Sequence, residues 1–345
     1  MQEIFIIFLT ALVLLFIARK IARRVGLVDK PYGRKHHQGH IPLVGGVSIY
    51  FSLWLLFILQ PDSLPGFPVY MLCVTILLVT GVLDDRFGFP VLPRMALQAA
   101  VAVIMIWHGL YMESFGNIIP NYVIALGAGG YILTVLAVIG SINAFNMVDG
   151  IDGLLGALAG VVFLSIAVVF YFAGNPQLAL WCIALLAACI PYILLNLGIP
   201  WGRKFKVFMG DAGSMVIGFT VIWLLMISSQ GRFAVIHPVT ALWLIALPLL
   251  DMTRVMISRL QKGCSPFHPD REHLHHIVMR AGFSGIATLL ILTMIQILSA
   301  TTGLILHWCK VPDSVQLMMF VLTYFLLRYF EKGLRRYEAC SRQLR

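Results

Sequence analysis

Two adjacent carboxylates, Asp84 and Asp85, close the apolar run TILLVTGVL. Neighbouring carboxylates repel unless a cation or a proton relieves them. The pair therefore reads either as a divalent-metal site, with one member serving as a base beside the ion, or as a solvated pair neutralised by Arg86. A second cluster, NAFNMVDGIDG, runs from Asn143 to Gly153. On a helix Asn143 and Asn146 share a face, as do Asp149 and Asp152. Two carboxylates and two amides at the lip of an apolar run, with no Lys or Arg beside them in sequence, are unfavourable unless something satisfies them, so function outweighs structure there. A third cluster, FKVFMGDAGS, sets Asp211 between Gly210 and Gly213 at the start of another apolar run. Backbone N–H groups at such a helix start favour phosphate, with Asp211 holding a bridging metal; the simpler reading is Asp211 as an N-cap.

The fourth cluster, HPDREHLHH, places His273 and His276 one helical turn apart beside Arg271 and His275. It lacks the H-E-x-x-H zinc pattern and suits a cationic or hydrogen-bonding cradle for phosphate at least as well. A fifth stretch, DKPYGRKHH, adds Arg34 and Lys35, which alone mean no more than lipid headgroups or topological bias. Phosphate-binding loops, nucleophile elbows and dinucleotide fingerprints are all missing. The weight rests on convergence: carboxylates with Arg, Lys and His suit a divalent ion and a phosphorylated substrate.

The elements that must bring these clusters together are membrane helices. Of the 345 residues 60% are hydrophobic and 12% charged, about half the charge of a soluble chain. Mean hydropathy is +0.90. The net charge of +10 sits in short loops between apolar runs, which is membrane orientation and excludes a nucleic-acid footprint. With roughly 20 apolar residues needed per span, the chain is expected to be all-α, a polytopic helical bundle. About eleven spans are expected, near 3–18, 43–60, 69–83, 95–111, 124–142, 154–173, 178–197, 212–229, 239–257, 286–306 and 315–330. With the N-terminus outside (periplasmic), every Lys and Arg except Arg232 and Lys310 falls on the cytoplasmic side, as does the C-terminus. Residues 1–330 then form a single transmembrane catalytic domain, and 331–345 a basic cytoplasmic tail along the anionic leaflet. All five clusters meet at that face.

With these motifs in their order, the chain resembles the polyprenyl-phosphate N-acetylhexosamine-1-phosphate transferases. VDKPYGRKHHQGHIPLVGG, LDDRFG, NAFNMVDGIDGLLG, FKVFMGDAGSMVIGF and SPFHPDREHLHH carry the likeness, from about residue 26 to 285. Within the family it is most similar to the bacterial branch that makes undecaprenyl-diphospho-GlcNAc from UDP-GlcNAc, the start of O-antigen and common-antigen glycans. Two departures stand out. That branch usually reads D-D-x-x-D, whereas position 88 here is Gly88; and Leu274 interrupts the His cluster, unlike the triple histidine of the MurNAc-pentapeptide branch.

The resemblance implies a bacterial inner-membrane enzyme, with UDP-GlcNAc, undecaprenyl phosphate and membrane lipids as partners and no nucleic acid. It implies Mg²⁺ or Mn²⁺ on Asp211, with Asp84 and Asp85 close by, and a catalytic set of Asp84, Asp85, Asp149, Asp152 and His273. Asn143, Asn146, Phe208 (stacked on uracil), Arg271, His275, His276, Arg34 and Lys35 would contact the substrates. The lipid phosphate would attack directly, without a covalent enzyme intermediate. The rival class, a transporter or lipid-binding membrane protein, should place its ionisable residues near mid-membrane, where only Asp251 and His108 are candidates. A homodimer is compatible with the sequence; the donor sugar is not legible from spacing.

Overall fold

The computed structural model describes residues 2–29, 39–61, 63–119, 122–267 and 270–343. They form thirteen α-helices and one two-stranded sheet, an all-α membrane architecture. Seven helices are long and apolar enough to cross a bilayer: α1 (Gln2–Val25), α3 (Phe67–Phe87), α5 (Ala128–Val148), α6 (Leu154–Phe172), α7 (Pro176–Leu197), α8 (Gly210–Ser229) and α12 (Gly285–Trp308). Shorter apolar helices are α2 (Gly45–Leu59) and α4 (Val91–Trp107). The bent pair α9 (Pro238–Leu244) and α10 (Ala246–Gln261), the short α11 (Leu274–Arg280) and the long α13 (Asp313–Gln343) complete the bundle.

The helix α8 is the central pillar. Every residue from Ala212 to Ser228 is buried, as expected of a helix apolar on all sides. Lipid tails supply no hydrophobic drive between helices, so close backbone approach and interhelical hydrogen bonds hold the bundle. A β-carbon on Gly46 of α2 would lie 2.4 Å from Gly213 Cα, and one on Gly81 of α3 would lie 2.2 Å from Ala212 Cα. Tyr70 and Thr220 hydroxyls meet at 2.7 Å, and Ser141 Oγ donates to the Gly218 carbonyl at 2.8 Å.

The expected span 239–257 is broken by 85° between α9 and α10. Pro248 explains the break, because its ring cannot donate to, and would clash with, the Leu244 carbonyl. Gln296 of α12 satisfies the freed groups: its Nε2 donates to Leu244 O at 2.6 Å and its Oε1 accepts from Leu247 N at 2.9 Å.

At the end of the bundle where α3 and α5 finish and α8 begins, β1 (Val28–Asp29) pairs antiparallel with β2 (Ile41–Pro42). The chain after β2 is tied to the segment entering α8: Phe208 N donates to Pro42 O at 2.9 Å, and Val44 N and Gly45 N both donate to Phe208 O at 3.1 Å. The segment after Phe330, expected as a basic tail, continues α13 as helix to Gln343 and packs against α11.

Candidate active site

The start of α8 is set by Gly210, whose φ of 75° suits glycine and whose missing side chain leaves room for Asp85; a β-carbon there would lie 2.5 Å from Asp85 Oδ2. The Asp85 carboxylate accepts from Asp211 N at 2.8 Å and Ala212 N at 3.3 Å. Helix N-terminal donors that the sequence suggests for phosphate are thus taken by a carboxylate from α3, which also complements the helix dipole. Asp211 is accordingly not the N-cap of α8. Its Oδ1 accepts from Asn146 Nδ2 at 2.5 Å, and the same amide reaches Ser214 Oγ at 2.8 Å.

Asp84, adjacent to Asp85, turns toward Arg94 and not toward α8. It is buried, accepts from Phe89 N at 2.7 Å and pairs with Arg94 Nη1 at 2.6 Å. The expected neutralising cation, Arg86, instead donates to the Gly26 carbonyl. Gly88, where the resembling branch carries a third carboxylate, is the left-handed C-cap of α3.

Asp149 and Asp152 do not share a helix face. The helix α5 stops at Val148, and both lie on the turn leading into α6, which starts at Leu154. They part there: Asp152 is half-exposed and pairs with Lys206 Nζ at 2.6 Å, while no hydrogen bond among the described residues reaches the Asp149 carboxylate. Burial, then the charges of Asp211 and Asp152, push Asp149 up to about 7. Asn196 braces this turn, accepting from Gly153 N and donating to Val207 O. Phe208 lies under Lys206, whose Nζ is 5.2 Å from the ring centre.

The histidines are divided as well. His273 Nδ1 meets Asp251 Oδ2 at 2.8 Å, fixing the ring so that His273 lines a cavity of about 190 Å³. Asn143, Asn146, Arg94, Arg259, Phe267 and Asp270 line it too. Asn143 is steadied by Gln98, accepting at 2.9 Å. His275 packs onto Gly150, where a β-carbon would lie 2.1 Å from its Nε2, and among the described residues that nitrogen has no partner. Burial first, then His276, pushes His275 down to about 3. The unfolded imidazole titrates at its ordinary 6.5, so its contribution is full above that pH and lost as pH falls from 6.5 toward 3. Thermal unfolding should therefore show a steeper acid loss of Tm in the wild type than in His275→Asn across this window; parallel curves would refute the assignment. His276 is lowered as well, chiefly by burial. Arg271 lies on the exposed loop before His273. Arg34 and Lys35 lie outside the described residues.

Sequence reading missed Arg94, Arg259, Gln98 and Asn196. The two arginines had been counted only as orientation charges, although Arg94 follows Asp84 across a glycine cap and two prolines, a turn that returns the chain. The site thus has two compartments joined by Asn146. One gathers the carboxylates of Asp85, Asp149 and Asp211, and the other is a cavity lined by Arg94, Arg259 and His273, with Arg94 paired to Asp84 and Arg259 to Asp270.

Fold and site together define a polytopic membrane protein whose carboxylates and cations gather at one end of the bundle. Residues 67–229 match glycosyl transferase family 4. The undecaprenyl-phosphate alpha-N-acetylglucosaminyl 1-phosphate transferase of Escherichia coli (strain K12) is 50% identical, over 94% of this chain and 88% of its own length. Proteins of the same name from Salmonella typhimurium and Haemophilus influenzae are 48% and 44% identical, each over 95% of this chain and over 90% and 93% of their own lengths. The chain belongs to glycosyl transferase family 4 and is a membrane-embedded transferase.

Proposed function

We propose that this protein transfers GlcNAc-1-phosphate from UDP-GlcNAc to undecaprenyl phosphate, giving undecaprenyl-diphospho-GlcNAc and UMP. The site works at the cytoplasmic face of the bacterial inner membrane, in the eleven-span arrangement with the N-terminus periplasmic. The relatives' shared activity supports the substrates, and the confinement of nearly all Lys and Arg to one side supports the orientation.

The observation that carries the chemistry is the gathering of the Asp85, Asp149 and Asp211 carboxylates beside a cavity lined by Arg94, Arg259 and His273. Its oxygen donors fit a hard divalent cation. Among the described residues no three His, Cys, Asp or Glu side chains close into a ligand set alone. Mg²⁺ is commonly held by one or two carboxylates plus substrate phosphates and keeps several waters. Asp211 would hold it, with Asp85 and Asp149 alongside. Bound there, the ion offsets charge on the diphosphate. Arg94 and Arg259 hold phosphate oxygens, Asn143 and Asn146 orient the sugar phosphate, and Phe208 offers a ring for the uracil. An oxygen of the lipid phosphate attacks the β-phosphorus, the bond from that phosphorus to the bridging oxygen breaks, and UMP leaves with the electron pair. His273 faces the transferred phosphoryl group and offsets its charge.

Purified protein in detergent, given UDP-GlcNAc labelled in the sugar, undecaprenyl phosphate and Mg²⁺, should move label into lipid with one UMP released per transfer. EDTA should abolish the reaction, and UDP-GalNAc and UDP-MurNAc-pentapeptide should be poor donors. Release of UDP in place of UMP, or transfer that persists in EDTA, would refute the reading.

A further inference from the structure

The second half of α13 carries buried charge that the proposed reaction does not use. Glu331 is only 4% exposed, and a carboxylate so buried must be paired. It receives Arg254 Nη1 at 3.0 Å, Arg335 at 2.8 Å and Arg328 at 3.2 Å. Arg254 is itself 1% exposed and divides its guanidinium between two sides. Opposite Glu331, its Nη2 donates to Asp251 Oδ1 at 2.7 Å and to the Glu272 carbonyl. Asp251 in turn accepts from Leu274 N at 3.1 Å and holds His273 Nδ1 at 2.8 Å. The planar, rigid fork of an arginine passes a position from one partner to the next. An unbroken path therefore leads from Glu331 through Arg254 and Asp251 to the histidine lining the cavity.

Two further ties act on the same segment. Arg335 pairs with Glu272, the residue before His273, and Glu338 approaches Arg280, the last residue of α11, at 3.5 Å. Both ends of residues 272–280 are thus clamped to α13. Apolar contacts would fasten one helix to another as firmly as a buried ionic network, so the network's distinctive contribution is orientation.

We infer that the second half of α13 is a strap that sets the position of His273 in the cavity, with Glu331 and Arg335 as its positioning residues. Its kinetic consequence rests on the proposed transfer reaction; its structural consequence does not. Arg335→Glu and Glu272→Arg should each lower kcat about tenfold with the UDP-GlcNAc KM within about twofold, and the double variant should recover to within about threefold of wild type. Glu331→Ala should lose about 10²-fold in kcat, a misplacement effect, and Glu331→Gln less. Hydrogen exchange should accelerate over residues 272–280 in Arg335→Glu while α6 and α8 stay protected. Full kcat in both single charge reversals, no recovery in the double, or faster exchange spread through α6 and α8 would overturn the strap. If the wild type makes no lipid-linked product, the proposed reaction fails, and unchanged exchange over 272–280 in Arg335→Glu then overturns the strap on its own.

Discussion

Replacing Asp211 by Asn should lower GlcNAc-1-phosphate transfer by about 10³-fold or more while the protein stays folded. The substitution keeps shape and an acceptor oxygen, so the bond from Asn146 Nδ2 can persist. The start of α8 is capped from outside, by Asp85 on the backbone of Asp211 and Ala212, and that cap does not depend on the Asp211 side chain. Removing one charge from a pocket of mutually repelling carboxylates also relieves Asp149. The Tm should therefore hold or rise. What is lost is the charge proposed to hold the divalent ion. Initial rates and Tm measured on one preparation check this; retained metal-dependent transfer would remove the proposed role of Asp211.

The second large effect is expected from a methyl group. Gly81→Ala would set a β-carbon 2.2 Å from Ala212 Cα and 2.5 Å from Ala212 N. Both are backbone atoms of a buried helix and cannot rotate aside, so α3 must move. Overpacking of this kind costs about 1–3 kcal/mol. Asp85 is one helical turn further along α3, and its carboxylate is what caps α8. A displacement of α3 therefore reaches the site directly, with a loss of about 10²-fold in kcat beside the lower Tm. Gly129→Ala is the control: it lies in the first turn of α5 with no atom within 4 Å of the added carbon, and should leave activity unchanged. Wild-type kinetics in Gly81→Ala would mean that the contact of α3 with α8 does not set the site.

How much of this was legible in the sequence differs between fold and site for physical reasons. Long apolar runs with few charges can only be helices in lipid, and each of the eleven expected segments falls on a helix or, for 239–257, on the bent pair. The break at Pro248 escaped because it is tolerated only through Gln296, a partner about fifty residues away that a hydropathy window cannot see. The carboxylate clusters were visible, but their division of labour was not. Adjacent residues on a helix point about 100° apart, so Asp84 turns to Arg94 while Asp85 turns to α8. A shared face for Asp149 and Asp152 requires a helix through both, whereas α5 ends at Val148, before either of them. Lys206, distant in sequence, then claims Asp152, and among the described residues no ion pair reaches Asp149. Such pairings arise from the packing of helices, and spacing along one segment carries no trace of them.

A divalent ion proposed to be held by Asp211, with Asp85 and Asp149 from sequence-distant segments alongside, is the core of the proposal. Substituting Fe²⁺ for Mg²⁺ and adding ascorbate and peroxide makes the bound ion cut the backbone beside it. Fragments should end near residues 85, 149 and 211 together, and excess Mg²⁺ should suppress all three cuts. Cleavage near only one of them, or a pattern indifferent to Mg²⁺, would contradict a shared site.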